Sequence, residues 1–557
     1  MRAIKVILTV ILLLVMAAVI LWGTFYYVVW PKPDILDLVP NAPLAYIAAS
    51  NLAKTLSGIG ASDFADRFAG SPLWKVVSSS RLGQEAKLQK RAWESYVGSP
   101  INLEEIAQLV EKDAILAFYG DFGLSDFLLI SEVGLLTRWN ITSGSTRDAL
   151  ISRYGFTVED YRGVDLMTVA MLGWEFTYGF IGRVGLLGTD KALVKKAIDL
   201  RKDGGQGLSE TPRFKELRVD LPKSDVSFYM NVAKSLDVIG PSRAYSPGTG
   251  AGMDPRLRYL LPIAQYVDSW SGVAFSQRGN VRLNATAMHA ASLPVNPPDL
   301  KGASDGGLVV PDNCLLFMSH DASEPDLPFR MLGAFVGSDL NIATSRLVPV
   351  LRSGAAMAVL EPNIKELQLL PPVMLLLRVK DRGNAESVLE DVKSSLKIGY
   401  RQLEFVETRY QNIPISRARL PIGMGMSIDV GYTFIGDDLL VVATDASALE
   451  AAIDVSLNNR PALAKDESYV AVLSPVAEAP ACRIFVNLRS AAAMTKQAAR
   501  MYAWRAKVAG EHEAEQLATI LYQNISILEA WQYMGATLDT KDEKTNLRLV
   551  LSAENYD

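Results

Sequence analysis

The 557-residue sequence contains only two cysteines and three histidines. Two cysteines exclude a disulfide-framework protein and any multi-cysteine zinc or iron–sulfur site. His289, His320 and His512 lie far apart in the chain, which leaves little for a histidine metal centre or a histidine general base. Charge of one sign is also missing: Lys+Arg 56 against Asp+Glu 61 gives −5 over the whole length. With no positive excess to neutralise phosphates, no nucleic-acid partner is expected. No GxxxxGK[ST] loop occurs, so phosphate cradling of that type is absent. A hydrophobic fraction of 49% and a charged fraction of 21% exclude a disordered, collagenous or polytopic membrane chain. At about 100–200 residues per domain, a chain of this length implies roughly two to four compact cores.

Long apolar runs are absent too, with one exception. Val6 to Trp30 contains no charged residue, and a helix of that length spans the roughly 30 Å hydrocarbon core with some tilt. Trp22, Phe25, Tyr26, Tyr27 and Trp30 crowd its C-terminal end as an interfacial belt would. Arg2 and Lys5 precede the run, whereas Lys32 is followed by Asp34 and Asp37, a bias that favours an N-terminus in the cytoplasm. The competing reading is a signal peptide cleaved near Val15-Met16-Ala17. It would leave Val19-Ile20-Leu21-Trp22 on a soluble protein. No cysteine follows the run, which excludes a lipoprotein anchor. The expectation is a cytoplasmic tip (1–5), a transmembrane signal anchor (6–30), and a periplasmic bulk held on the inner membrane.

Beyond the anchor the sequence resembles itself. Leu38-Val39-Pro40-Asn41 opens one apolar run and Val309-Val310-Pro311-Asp312 another. Tyr161-Arg162-Gly163-Val164 resembles Tyr410-Gln411-Asn412-Ile413. Phe180-Ile181-Gly182 matches Phe434-Ile435-Gly436, and Thr189-Asp190 followed by Ala197-Ile198-Asp199 matches Thr444-Asp445 followed by Ala452-Ile453-Asp454. VSFYMN (226–231) resembles CRIFVN (482–487), and Trp270 with Gly272 precedes a β-like run as Trp531 with Gly535 does. These matches predict two tandem copies, residues 34–292 and 305–557, joined by a Pro/Gly/Ser-rich linker at 293–304. Within each copy the clearest unit is strand, turn, strand, N-cap and helix, with Thr444 or Asp445 capping a helix to about Leu457. A continuous helical stretch is expected from about Ser490 to Trp531. The predicted fold class is α+β: an N-terminal transmembrane helix followed by two homologous α+β domains with largely antiparallel sheets.

Chemistry is hard to find. Gly179 to Gly185 is glycine-rich but has the spacing of a hairpin, not of a dinucleotide loop. Ser394 and Lys397 fit SxxK without the other elements of a serine acyltransferase. His320-Asp321 with Glu324 and Asp326 lacks a second histidine, and His512 sits among Glu511, Glu513 and Glu515 on a charged helix face. Cys314 and Cys482 fall in apolar β-like runs, where either a bridge or two buried free thiols is open. The Gly/Pro/Ser-rich stretch from Gly240 to Gly252 carries Arg243 and Tyr245 as a contact-loop candidate. Residues shared by the copies are turn, cap and core types, which a fold needs whatever its task.

The anchor, the opening Leu-Val-Pro-Asn-Ala-Pro and its near-repeat resemble bacterial membrane-anchored envelope proteins of unknown function with a tandemly repeated extracytoplasmic domain. The resemblance implies compartment and architecture, with no substrate, cofactor, metal or catalytic residue. The expected function is a non-catalytic, membrane-anchored scaffold that binds an envelope protein partner. Two alternatives stand beside it: a carrier or chaperone for an apolar ligand such as lipid, and a carboxylate-dependent enzyme using Asp321, Glu324 or Asp326.

Overall fold

Short apolar runs punctuated by turn residues become antiparallel strands in the computed structural model. It describes residues 34–50, 113–120, 126–134, 155–171, 174–218, 225–239, 267–277, 280–289, 309–320, 346–362, 371–399, 403–423, 426–473, 482–525, 531–541 and 544–552, with isolated positions between 67 and 152 and at 529. In chain order the elements are β1 (Ala45–Ala49), β2 (Ala114–Phe118), β3 (Phe127–Glu132), β4 (Thr157–Tyr161), β5 (Val164–Met171), β6 (Trp174–Ile181), β7 (Val184–Gly188), α1 (Lys191–Asp203), α2 (Pro212–Arg218), β8 (Val226–Asn231), α3 (Val232–Ile239), β9 (Val267–Gln277) and β10 (Asn280–His289). There follow β11 (Cys314–His320), β12 (Leu351–Leu360), β13 (Val373–Val379), α4 (Arg382–Gly399), β14 (Phe405–Tyr410), β15 (Ile413–Gly423), β16 (Met426–Ile435), β17 (Leu439–Ala443), α5 (Ala446–Ser456), α6 (Glu467–Leu473), β18 (Cys482–Asn487), α7 (Leu488–Ala509), α8 (His512–Asn524), β19 (Tyr533–Lys541) and β20 (Lys544–Ser552). The chain divides into two compact units, Met1–Phe275 with Ala285–Leu293, and Ser276–Asn284 with Pro294–Asp557.

In the first unit the strands pair in the order β9-β8-β1-β2-β3-β7-β6-β5-β4. In the second the order is β20-β19-β18-β11-β12-β13-β17-β16-β15-β14. The two hairpins β4–β5 and β14–β15 turn through two residues that both take positive φ, Arg162 and Gly163 in one and Gln411 and Asn412 in the other. That is the mirror-image turn whose twist matches the flanking strands. Gly182 and Gly436 stand at positive φ in the β6–β7 and β16–β17 turns, where a side chain would be strained.

Each unit closes its core with the same three-ring cluster. Tyr46 on β1, Phe214 on α2 and Tyr229 on β8 meet at centroid distances of 5.5–5.9 Å. Phe317 on β11 and Phe485 on β18 meet Tyr469 on α6 at 5.9 and 5.4 Å. Edge-to-face rings at such distances contribute about 0.5–1.5 kcal/mol per pair beyond their burial. Leu208 and Leu217 pack around the first cluster, and Leu463 and Val472 around the second, all fully buried. The Leu-Val-Pro segment has its role here: the Leu208 N–H donates to the Val39 carbonyl, and the Leu463 N–H to that of Val310.

Several expectations are corrected. The described residues are mostly antiparallel sheet, so an N-terminal transmembrane helix followed by two homologous α+β domains does not describe this fold. Among the described residues no helix is long and apolar enough to cross a membrane; the 6–30 segment lies outside them. The long helix expected from Ser490 to Trp531 is two helices. Gly510, at φ 76°, adopts the left-handed conformation that ends α7. The Trp270/Trp531 match fails on register. Trp270 lies within β9 opposite Met230, whereas Trp531 precedes β19 and Met534 occupies the place opposite Val486.

Candidate functional site

The polar residues shared by the two units serve the fold mechanically. Thr189 and Thr444 each end a strand. The Thr444 Oγ1 accepts from the Val373 N–H (2.9 Å) while its own N–H donates to the Val373 carbonyl (2.9 Å). Thr189 makes the same reciprocal pair with Phe127, at 3.1 and 3.2 Å. The aspartate that follows starts a helix. Asp190 accepts from the Ala192 N–H (2.7 Å) and Asp445 from the Ser447 N–H (2.8 Å), serving donors that an α-helix leaves without internal partners. The asparagine that ends each motif strand accepts from a first-turn N–H in the same way, Asn231 from Lys234 and Asn487 from Ser490.

Across the same face, tyrosine and aspartate latch a hairpin onto a helix. Tyr161 at the end of β4 donates to the Asp199 carboxylate on α1 (3.0 Å), and Tyr410 at the end of β14 donates to Asp454 on α5 (3.0 Å). These hydrogen bonds to carboxylates raise both phenol pKa values. In the first unit Arg162 adds ion pairs to Asp199 (2.7 Å) and Asp203 (2.6 Å), and Arg162 holds the Asp203 carboxyl below its ordinary value. In the second unit those two positions are Gln411 and Asn458. The latch is kept and the ion pairs are not.

A second correspondence has no trace in residue identity. Glu132 at the end of β3 pairs with Arg183, just before β7, and both are buried. The equivalent positions in the second unit hold Arg378 at the end of β13 and Asp438 just before β17, paired at 2.5 Å and about one-third exposed. The registers that make them equivalent are Glu132 opposite Val184 and Arg378 opposite Leu439. The same ion pair is present with its polarity reversed.

Among the described residues of the second unit, Lys393 on α4 is a buried cation. Its Nζ donates to Glu390 (2.7 Å) and Glu407 (2.9 Å) and lies 5.1 and 5.7 Å from the ring centroids of Tyr432 and Phe405. Burial opposes its charge, but hydrogen bonds with Glu390, Tyr432 and Glu407 outweigh that and hold its pKa above the ordinary lysine value. Burial likewise works against the Glu407 charge, and the nearby Ser416 hydroxyl and the Lys393 ammonium overcome it to lower that pKa. Burial raises the pKa of the Tyr432 phenol. At neutral pH the cluster therefore holds a protonated amine, an ionised carboxylate and a neutral phenol. A lysine kept protonated is neither nucleophile nor general base.

The remaining candidates do not assemble. Arg243 and Tyr245 lie outside the described residues, as do Asp321, Glu324 and Asp326. His320 is buried at the end of β11 opposite Cys482, and His512 is exposed at the start of α8, 3.9 Å from Glu515. Ser394 and Lys397 are both exposed on α4. Gly179 and Gly185 belong to paired strands around the Gly182 turn, so the glycine-rich run is a hairpin. Cys314 and Cys482 are free thiols. Cys482 pairs with His320, six residues along β11 from Cys314, a separation of about 20 Å that no disulfide spans. Burial pushes the Cys314 thiol pKa far up. Among the described residues no group of three or more His, Cys, Asp or Glu is placed to hold a metal ion.

Sequence reasoning missed the outer face of α7. Leu488, Ala492, Ala499 and Ala506 turn its inner stripe into the fold, while Met501, Trp504 and Val508 are 45%, 68% and 70% exposed. The signal was present as an apolar i, i+3, i+7 spacing, but α7 carries two such stripes and only packing tells which is buried.

A family described as a protein of unknown function, DUF3352, matches residues 348–527, the segment from just before β12 to just past α8. No curated protein matches the chain. Crystal form I of TP0453 is similar at 9% identity, covering 47% of this chain and 81% of that one with a TM-score of 0.25. Crystal form III is similar at 10% identity, covering 48% and 84% with a TM-score of 0.26.

Proposed function

We propose that this chain is a non-catalytic envelope protein, held at the cytoplasmic membrane through residues 6–30 with its bulk outside the cytoplasm, that works by presenting its surface to other envelope components. The observation that carries the reading is the use made of the recurrent polar groups. Tyr161–Asp199 and Tyr410–Asp454 brace hairpins on helices and Thr-Asp joins strand to helix; in the second unit, Lys393 is also held in its charged form. Groups that must keep one protonation state to hold the fold are poor proton-transfer catalysts. Mass below the anchor then serves as contact surface.

The test pairs topology with assembly. A reporter fused after Asp557 should be active only if it works outside the cytoplasm. The full chain, extracted in mild detergent from native membranes, should retain the same envelope components when Asp199→Asn or Asp454→Asn is introduced and the variant still folds. A cytoplasmic reporter signal, or loss of those components on removing one brace carboxylate from a folded chain, would overturn the proposal.

A further inference from the structure

We infer that the outer face of α7 is a docking surface for an anionic phospholipid bilayer, a reading that rests on the envelope placement proposed above. The helix has 22 residues. Its buried stripe is Leu488 followed by the small residues Ala492, Ala499 and Ala506, which let it lie close to its neighbours. At about 100° per residue, Met501, Trp504 and Val508 fall on the opposite side, and all three are exposed. An exposed tryptophan beside methionine and valine side chains is what a membrane interface retains.

Charge points the same way. Helix α7 contains Arg489, Lys496, Arg500, Arg505 and Lys507 and no acidic residue, in a chain whose net charge is −5. Lys496 and Arg500 are engaged with the neighbouring segment, through Glu529 (2.6 Å) and the Tyr522 ring (4.7 Å). Arg505 and Lys507 are exposed and flank the Trp504–Val508 stripe on its two sides. Basic residues beside an apolar stripe match an anionic headgroup layer over an acyl boundary. A second protein chain fits the patch less well. Three side chains, partly exposed, offer at most a few hundred Å², against the roughly 1,200 Å² or more that a stable specific interface buries. A bilayer needs no such area from one patch, because an attached chain meets it at high effective concentration.

The test is hydroxyl-radical footprinting of the full chain in nanodiscs of phosphatidylcholine with 30% phosphatidylglycerol, in pure phosphatidylcholine, and in detergent, at several protein concentrations. Oxidation of Met501 and Trp504 should fall at least fivefold in the phosphatidylglycerol discs relative to the other two. High salt, or the pair Arg505→Glu and Lys507→Glu, should restore it. Exposed Trp504→Ser and Val508→Ser should leave circular dichroism unchanged and abolish protection of Met501. Equal oxidation in all three media would overturn the inference. So would protection that appears in detergent and grows with protein concentration, which would assign the face to a second copy. The reporter after Asp557 is read separately: footprint protection with a cytoplasmic reporter would leave the docking surface and remove the envelope placement.

Discussion

Replacing Thr444 by valine tests the division of labour within the Thr-Asp pair. Valine keeps the volume and β-branched shape of threonine, so no cavity forms and the strand preference of the site is unchanged. What is lost is the acceptor for the Val373 N–H, a 2.9 Å bond at the start of a strand whose side chains are almost all buried. A buried N–H left without a partner costs about 1–3 kcal/mol. Replacing Asp445 by alanine removes a different bond. Its cap carboxylate is exposed, which puts the loss near 1 kcal/mol within the usual 0.5–2 kcal/mol. Hydrogen–deuterium exchange with residue-level fragmentation separates the two. Thr444→Val should speed exchange of the Val373 amide about ten- to a hundredfold, at about 1.4 kcal/mol per factor of ten, and leave the Ser447 amide alone. Asp445→Ala should do the reverse. The pattern should recur in the first unit, with Thr189→Val read at Phe127 and Asp190→Ala at Ala192. If Thr444→Val frays α5 and spares Val373, the threonine is the cap and the reasoning is wrong.

The reversed ion pairs should differ in weight. Glu132→Gln removes the carboxylate charge beside the buried Arg183 and should destabilise by about 3–5 kcal/mol, while Arg378→Gln in its more exposed counterpart should cost about 0–1 kcal/mol; equal shifts in denaturant midpoint would refute the burial argument. Glu159, Asp203 and Glu407 all have lowered pKa values, so their contribution is complete above the ordinary carboxylate range and is lost as pH falls through their folded values. A pH series of unfolding midpoints should therefore drop below about pH 4, less steeply in Glu407→Gln. The raised pKa of Lys393 works the other way, and its contribution persists until pH climbs past the ordinary lysine value of about 10.4. Both thiols should react with a disulfide reagent on denaturation without reductant, and Cys314 should be inert in the folded chain. Gly535→Ala would place a methyl group 2.6 Å from the Val472 carbonyl oxygen and should destabilise by about 1–3 kcal/mol, visible as a lowered thermal midpoint.

Local chemistry was readable in the sequence. The strand 439–443, the glycine turn before it and the start of the helix after it follow from residue type and spacing, because each depends on neighbours a few positions away. The sequence left Thr444 and Asp445 as equal cap candidates, since the bond that occupies Thr444 comes from Val373, 71 residues earlier. The Trp270/Trp531 match misled because like residues were aligned without a strand register to count from. Gly510 was a legible stop, overridden by apolar periodicity that continues into α8. The Glu132/Arg378 equivalence could not be read at all: residues of opposite charge score as unlike, and only the ladders show that they occupy one place.

That reversal of polarity bears on how the chain sorts itself while folding. Two strand pairs of nearly the same shape, β3 with β7 and β13 with β17, emerge from one polypeptide and could be exchanged before either is complete. In a correct pair, opposite charges meet. If β3 took β17 as its partner, Glu132 would face Asp438; if β13 took β7, Arg378 would face Arg183. Both errors set like charges together at a point where one site is buried, and both lose the attraction that the correct partners provide. A single charge pair written in opposite senses thus labels each strand with the unit it belongs to.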